Sequence, residues 1–190
     1  MNARELFRFM VHTRRQRAML TFLCADAAVF LVLLTVYLYL RAHAPEWPVA
    51  LHFASGLMAF AMTLFTLSGS FTMAAAARDQ ERGGETIAMR LILATIAVFG
   101  TFLLCDAMEW ARLILFEHVT LATPFGETFF ALSGYQAVHT FAGCFYLAAV
   151  AGKVKRSDVG ACALFIHFTN LLWLVIFVAL YLSNADLKGL

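Results

Sequence analysis

Ionisable side chains inside apolar stretches are the residues of this chain best placed to do chemistry. They are Asp26, Asp106, Glu109, His139 and His167. Such a side chain is costly in lipid, so each marks a functional site by default. A carboxyl can take up and release protons, and two opposed histidines can hold a b-type haem through its axial positions. Proton handling and haem ligation are therefore the chemistries to weigh.

Each of these residues also has a structural interpretation. Asp26 can be a protonated carboxyl bonded to a neighbouring helix, because burial penalises the charged form. Lone histidines often only hydrogen-bond across helices, and the chain has no second His pair and no Gly-rich face for a porphyrin. Glu109 and Arg112 are three residues apart, so they share a helix face and can form an ion pair that anchors a helix end.

Other chemistries lack support in the sequence. Four cysteines lie in apolar runs without CxxC spacing, which argues against zinc, iron–sulfur and covalent haem sites. There is no phosphate loop, nucleophile–base pair or carboxylate metal cluster, so no catalytic, cofactor-binding or metal-binding residue is predicted. The basic residues occupy short loops rather than one surface, which argues against nucleic acid as a partner.

The elements that carry these residues are membrane helices. Of 190 residues, 62% are hydrophobic and 14% charged, and the mean hydropathy is +0.79. A bilayer core of about 30 Å requires about 20 apolar residues of helix. Five stretches qualify, approximately 19–40, 53–77, 87–116, 128–151 and 159–182. The prediction is one all-α domain, 1–190, a polytopic bundle of five transmembrane helices.

Basic residues predict the orientation of the bundle, because cytoplasmic loops carry an excess of Lys and Arg. One side holds eleven of them: Arg4, Arg8, Arg14, Arg15, Arg17, Arg78, Arg82, Arg90, Lys153, Lys155 and Arg156. The other side holds only Arg41, Arg112 and Lys188. We therefore expect a cytoplasmic N-terminus and a periplasmic C-terminus.

Depth along the helices divides the ionisable residues into two groups. At 1.5 Å per residue, Asp26 lies about 14 Å beyond Arg17, and His167 about 16 Å beyond Arg156. His139 reaches a similar depth from the opposite direction, so the three could share one polar cluster. Asp106 and Glu109 lie near the outer end of the third helix instead.

The order of motifs resembles subunit III of the haem–copper respiratory oxidases. Residues 25–30 read ADAAVF and 37–41 read YLYLR, where the family has a small residue, Glu and Phe followed by Tyr–x–Tyr–Leu–Arg. Residues 106–110, DAMEW, resemble its Gln–x–x–Glu–Tyr/Trp.

The fourth and fifth helices carry the rest of the resemblance. Residues 126–130, GETFF, and 133–139, SGYQAVH, are similar to the family's Gly–Ser–Thr–Phe–Phe and Thr–Gly–Phe–His–Gly–Leu–His, and His167-Phe168 with Trp173 resembles its closing His–Phe…Trp. The departures thin the family's acidic–histidine network. Asp26 replaces Glu, Gln136 replaces the first His of the pair and Asp106 replaces Gln, while Gly160 and Asn170 occupy positions that often carry Glu and Asp.

The resemblance implies a non-catalytic subunit without haem or copper. It would pack against the large catalytic subunit I in a bacterial inner membrane, hold structural phospholipid, and help sustain proton uptake during aerobic respiration. Asp26, Gln136, His139 and His167 would be its lipid- or proton-linked polar residues. Five helices resemble the quinol-oxidase type and also the accessory subunit of some nitric oxide reductases.

Two further alternatives follow from the residues themselves. One is a b-type electron carrier with haem between His139 and His167. The other is a small proton-coupled transporter built around Asp26, although the chain lacks the paired, Gly/Pro-broken helices that such transporters use.

Overall fold

The chain folds into five long α-helices. The structure, a computed structural model, describes residues 13–44, Trp47 and residues 53–183, with the backbone alone for 53–55. The helices are α1 (Arg14–His43), α2 (Phe53–Glu81), α3 (Glu85–Leu115), α4 (Pro124–Ala151) and α5 (Val159–Ile176), and α5 continues as a π-helical segment, Phe177–Leu182. These ranges contain no β-strand. The five predicted helices are confirmed.

Three helices begin at polar caps that satisfy backbone N–H groups left free by the first turn. Thr13 and Gln16 form a capping box at α1. The Thr123 hydroxyl accepts from Gly126 N ahead of α4, and Asp158 accepts from Ala161 N ahead of α5. Because α1 and α4 begin at these caps, they start five and four residues before the predicted apolar spans, at Arg14 and Pro124.

Four of the helices are long and apolar enough to cross a bilayer: α1, α2 from residue 56, α3 and Val159–Leu182. Helix α4 has 28 residues, about 42 Å at 1.5 Å per residue, and it is not among these four. Ser133, Gln136, His139 and Thr140 are all buried between helices. Among the described residues, α4 thus contributes the largest set of buried polar side chains, these four and Thr128. Both chain termini, with Arg4, Arg8 and Lys188, lie outside the described residues.

Helix α3 packs between α2 and α4. Its buried residues recur every three or four positions: Ala88, Ile92, Thr95, Phe99, Phe102, Asp106, Glu109 and Leu113. This spacing puts them on one helix face. Helix α5 packs against α1, α2 and α4. Its Trp173 contacts Phe102 of α3 edge to face, with ring centroids 4.8 Å apart.

Helix α1 is peripheral and packs mainly against α4 and α5. The Thr13 hydroxyl and Gln16 Nε2 donate to the carboxylate of Asp158 at one end of α1. At the other end, Arg41 donates to the side chain and carbonyl of Ser183. The first helix is thus joined to the last at both ends. We call the end that carries Arg41 and Arg112 the Arg112 end of the bundle.

Candidate functional site

The middle of α1 meets the middle of α4 at a pair of ionisable side chains. Asp26 Oδ2 lies 2.7 Å from His139 Nε2. Only 14% of the Asp26 side chain and 11% of the His139 side chain is exposed. The two residues that sequence depth placed at the same level are therefore in direct contact.

Tyr135 completes this cluster from the preceding turn of α4. Residues four apart share a helix face, and the Tyr135 hydroxyl donates to Asp26 Oδ1 at 2.6 Å. The rings of Tyr135 and His139 pack against each other, with centroids 4.3 Å apart. Both carboxylate oxygens of Asp26 thus have a partner on α4. We call Asp26, Tyr135 and His139 the α1/α4 cluster.

The hydrogen bonds of His139 determine how many protons the Asp26–His139 pair holds. His139 Nδ1 is 2.8 Å from the carbonyl oxygen of Tyr135, which can only accept, so Nδ1 carries a hydrogen. The contact between Nε2 and Asp26 Oδ2 then also needs one proton, because otherwise two lone pairs would face each other. That proton lies on the acid or on the imidazole. In either case the pair has no net charge, which lowers the cost of burying it.

His167 lies elsewhere, which corrects the expectation of one three-residue cluster. Its Nδ1 is 3.1 Å from Ser70 Oγ on α2, and its side chain is exposed at the bundle surface. Phe165, two residues earlier, packs on His139 instead. Two residues along an α-helix turn it by about 200°, so His167 points away from the α1/α4 cluster.

This placement bears on the haem alternative. Both ring nitrogens of His139 are hydrogen-bonded, and His167 faces a different helix. In the part of the chain that the structure describes, the two histidines do not oppose each other across a space for a porphyrin. The same residues contain no group of three or more His, Cys, Asp or Glu placed to hold a metal ion.

Gln136 points into the bundle rather than toward lipid, with 1% of its surface exposed. Its Nε2 donates to Thr140 Oγ1 at 3.3 Å. Among the described residues, its Oε1 has no hydrogen-bond partner. The Gln136 side chain thus bonds Thr140 and makes no described hydrogen bond to the α1/α4 cluster.

At the Arg112 end, Glu109 and Arg112 form the contact that their spacing indicates. Arg112 Nε and Nη2 donate to the two carboxylate oxygens of Glu109 at 3.0 and 2.9 Å. Arg112 also pairs with Glu117. Glu109 is only 2% exposed, so this is an interior ion pair. The predicted pair is therefore present near the end of α3, with Glu109 buried and the Arg112 side chain 25% exposed.

Comparison with known proteins supports the resemblance that the motifs suggest. No family model matches the chain. The chain is 28% identical to "Cytochrome c oxidase subunit 3" of Synechocystis sp., over 88% of this chain and 75% of that protein. It is 25% identical to the protein of the same name from Corynebacterium diphtheriae, over 85% and 84%. "Cytochrome bo(3) ubiquinol oxidase subunit 3" of Buchnera aphidicola is 22% identical, over 86% and 90%.

The resemblance to oxidase subunit III is confirmed. These subunit III relatives are parts of multisubunit oxidases, as their names state, and the similarity covers most of the present chain. Together with four helices of membrane-spanning length and composition, it describes a multi-pass membrane protein. The names divide between cytochrome c and ubiquinol oxidases, so what the relatives have in common is the third-subunit role.

The sequence did not predict two of the hydrogen-bond partners described above. Tyr135 supplies the second hydrogen bond to Asp26, and its signal was available, since it lies four residues before His139. Ser70, the partner of His167, gave no comparable signal, because a single Ser in an apolar helix is ordinary.

Proposed function

We propose that this chain is a non-catalytic, integral subunit of the subunit III type in a bacterial haem–copper terminal oxidase. It supports assembly, phospholipid binding and sustained proton uptake, while haem and copper reside in the large catalytic subunit. The proposal places it in the inner membrane with a cytoplasmic N-terminus, and includes α4 as the fifth crossing helix. The similarity to subunit III proteins over most of the chain carries this proposal.

The α1/α4 cluster supports the part of the proposal that concerns protons. Asp26 and His139 share a proton in a contact of 2.7 Å, and Tyr135 orients the other carboxylate oxygen. Because the pair is neutral with that proton in place, it can be held near lipid at low cost. A carboxyl–imidazole pair of this kind can pass its proton on when a water or a polar partner approaches.

Affinity purification of the tagged chain from native membranes tests the subunit role. We expect a large subunit that contains haem and copper to copurify in mild detergent. Recovery of the chain without such a subunit would overturn the proposal.

Variants of Asp26 test the role of the cluster within the assembled complex. Asp26→Ala should leave assembly intact but reduce turnover during sustained catalysis, and Asp26→Glu, which keeps a carboxyl, should retain more of it. Cys24→Ala is the matched control, because Cys24 is exposed on the same helix two residues away. Unchanged turnover and lipid content in Asp26→Ala would leave Asp26 a purely structural role.

A further inference from the structure

In the part of the chain that the structure describes, three buried polar atoms on α3, α4 and the end of α5 lack a hydrogen-bond partner. They are Asp106 Oδ1, Gln136 Oε1 and Tyr181 Oη. Their residues are 4%, 1% and 2% exposed. An unsatisfied buried polar group costs about 1–3 kcal/mol, and nearly all such groups in proteins have a partner. Three of them on neighbouring helices therefore require a common explanation.

The packing of α3 against α4 brings Asp106 and Gln136 to one height. The two helices run antiparallel, and Trp110 Nε1 donates to Ser133 Oγ at 3.1 Å. From that contact, Asp106 lies about 6 Å back along α3, and Gln136 about 4.5 Å forward along α4, at 1.5 Å per residue. Both belong to the buried faces of their helices.

Tyr181 approaches the same region from the end of α5. Its ring packs against Phe129 of α4 with centroids 6.1 Å apart and against Trp173 with centroids 6.0 Å apart. Trp173 in turn contacts Phe102, which lies one turn before Asp106 on α3. Three helices thus each contribute one of the unsatisfied atoms.

The amide of Gln136 has only one orientation that suits its neighbours. The single hydroxyl hydrogen of Thr140 is donated to the carbonyl oxygen of Gln136, 3.0 Å away. Thr140 Oγ1 can therefore only accept from the Gln136 side chain, so Nε2 faces it and Oε1 points away. Gln136 Oε1 needs a donor, and an ionised Asp106 cannot provide one.

An ionised Asp106 would also lack a counter-ion. Arg112 is engaged by Glu109 and Glu117, and among the described residues no cation lies within 4 Å of the Asp106 carboxylate. Glu109, one turn along the same helix, adds a like charge. A buried charge without a partner costs several kcal/mol, whereas a protonated carboxyl supplies the donor that Gln136 Oε1 needs.

We propose that Asp106, Gln136 and Tyr181 form a buried proton-binding site, in which Asp106 is a neutral acid that donates to Gln136 Oε1. The bond is direct or passes through one internal water, which the Tyr181 hydroxyl also binds. Three polar atoms are enough to hold such a water. This site is separate from the α1/α4 cluster, and it does not depend on the proposed oxidase role.

Infrared spectroscopy of the purified full-length chain, alone or with any subunits that copurify, tests the site. A neutral acid has a C=O stretch above the amide I band, and an ionised one does not. At neutral pH, the wild-type spectrum minus the Asp106→Asn spectrum should contain this band, and D₂O should shift it. A difference spectrum that instead contains carboxylate bands would overturn the proposal.

Two further variants make the assignment specific. Asp26→Asn is the matched control, because it removes the other intramembrane Asp and should leave the Asp106 band in place. Gln136→Leu removes the acceptor, so the band should move to higher frequency. An unmoved band would overturn the contact with Gln136, and this readout remains available if Asp106→Asn does not fold.

Discussion

Two carboxyls inside the membrane helices, Asp26 and Asp106, have opposite surroundings. Asp26 lies on the peripheral helix and is partly exposed, yet both of its oxygens are hydrogen-bonded to α4. Asp106 lies on α3 and is almost fully buried, yet among the described residues its Oδ1 has no partner. Burial alone therefore does not indicate how a membrane carboxyl is satisfied. The facing helix decides it: it supplies an imidazole and a phenol to Asp26, and to Asp106 it supplies only the amide oxygen of the proposed site.

The largest change is expected at the Arg112 end, where the buried Glu109 carboxylate is paired with Arg112. Arg112→Leu leaves the buried Glu109 carboxylate without its two hydrogen bonds. Removing one partner of a buried ion pair costs about 3–5 kcal/mol, so the free energy of unfolding in an SDS titration of the solubilised chain should fall by about that amount.

Arg112→Lys is the control, because it keeps the positive charge but cannot form the bidentate hydrogen bonds that Arg112 makes to Glu109. It should recover part of the loss. If Arg112→Leu proves as stable as wild type, Glu109 does not depend on this ion pair, and the contrast between the two carboxyl regions weakens.

The α1/α4 cluster should respond to His139→Leu with a smaller loss. One oxygen of Asp26 then has no partner, which costs about 1–3 kcal/mol. A double-mutant cycle with Asp26→Leu should give a coupling free energy of about 0.5–3 kcal/mol, as for contacting residues. Strict additivity of the two single changes would show that the 2.7 Å contact contributes no energy.

Tyr135→Phe probes the second hydrogen bond of Asp26 and leaves the aromatic packing in place. Loss of one hydrogen bond costs about 0.5–1.5 kcal/mol, measured by the same SDS titration. Tyr39→Phe on exposed α1 surface is the matched control and should have no measurable effect. Equal effects in the two variants would contradict a specific role for the Tyr135 hydroxyl.

The smallest change is expected for Asp106→Asn. The amide NH₂ replaces the acid O–H as a donor to Gln136, so the free energy of unfolding should change by less than about 0.5 kcal/mol, within the usual scatter of neutral substitutions. Asp106→Leu, which has no donor, should cost more. A large loss in Asp106→Asn would indicate that the native carboxyl is ionised.

Much of the architecture follows from sequence alone, because length and hydropathy constrain membrane helices strongly. Every predicted span lies within a helix or within one residue of its end. The N-terminal extension of α1 was missed, because Thr13 and Gln16 cap a turn that is not apolar. Such caps act through backbone hydrogen bonds, which hydropathy does not record.

The sequence predicted how deep in the bundle the site residues lie, but not which helix face each one occupies. Asp26 and His139 meet as their common level suggested, whereas His167 points away, because depth says nothing about which face of α5 a residue occupies. The motif departures at Asp106 and Gln136 gave no sequence signal that they are related. The register of α3 against α4, fixed by the contact between Trp110 and Ser133, puts them at about the same height, as the proposed site requires.

The position of α1 has a consequence for how the protein is made. Its described contacts are mainly with α4 and α5, and Thr13 and Asp158, which join its start to α5, are 145 residues apart. During synthesis the first helix enters the membrane long before the helices that hold it. Until α4 is made, Asp26 lacks its hydrogen bonds to His139 and Tyr135. The newly made α1 is therefore in the bilayer with an unpaired carboxyl. Chain segments that bind only late partners are the ones exposed to misassembly, and this one carries the residue most central to the proposed role.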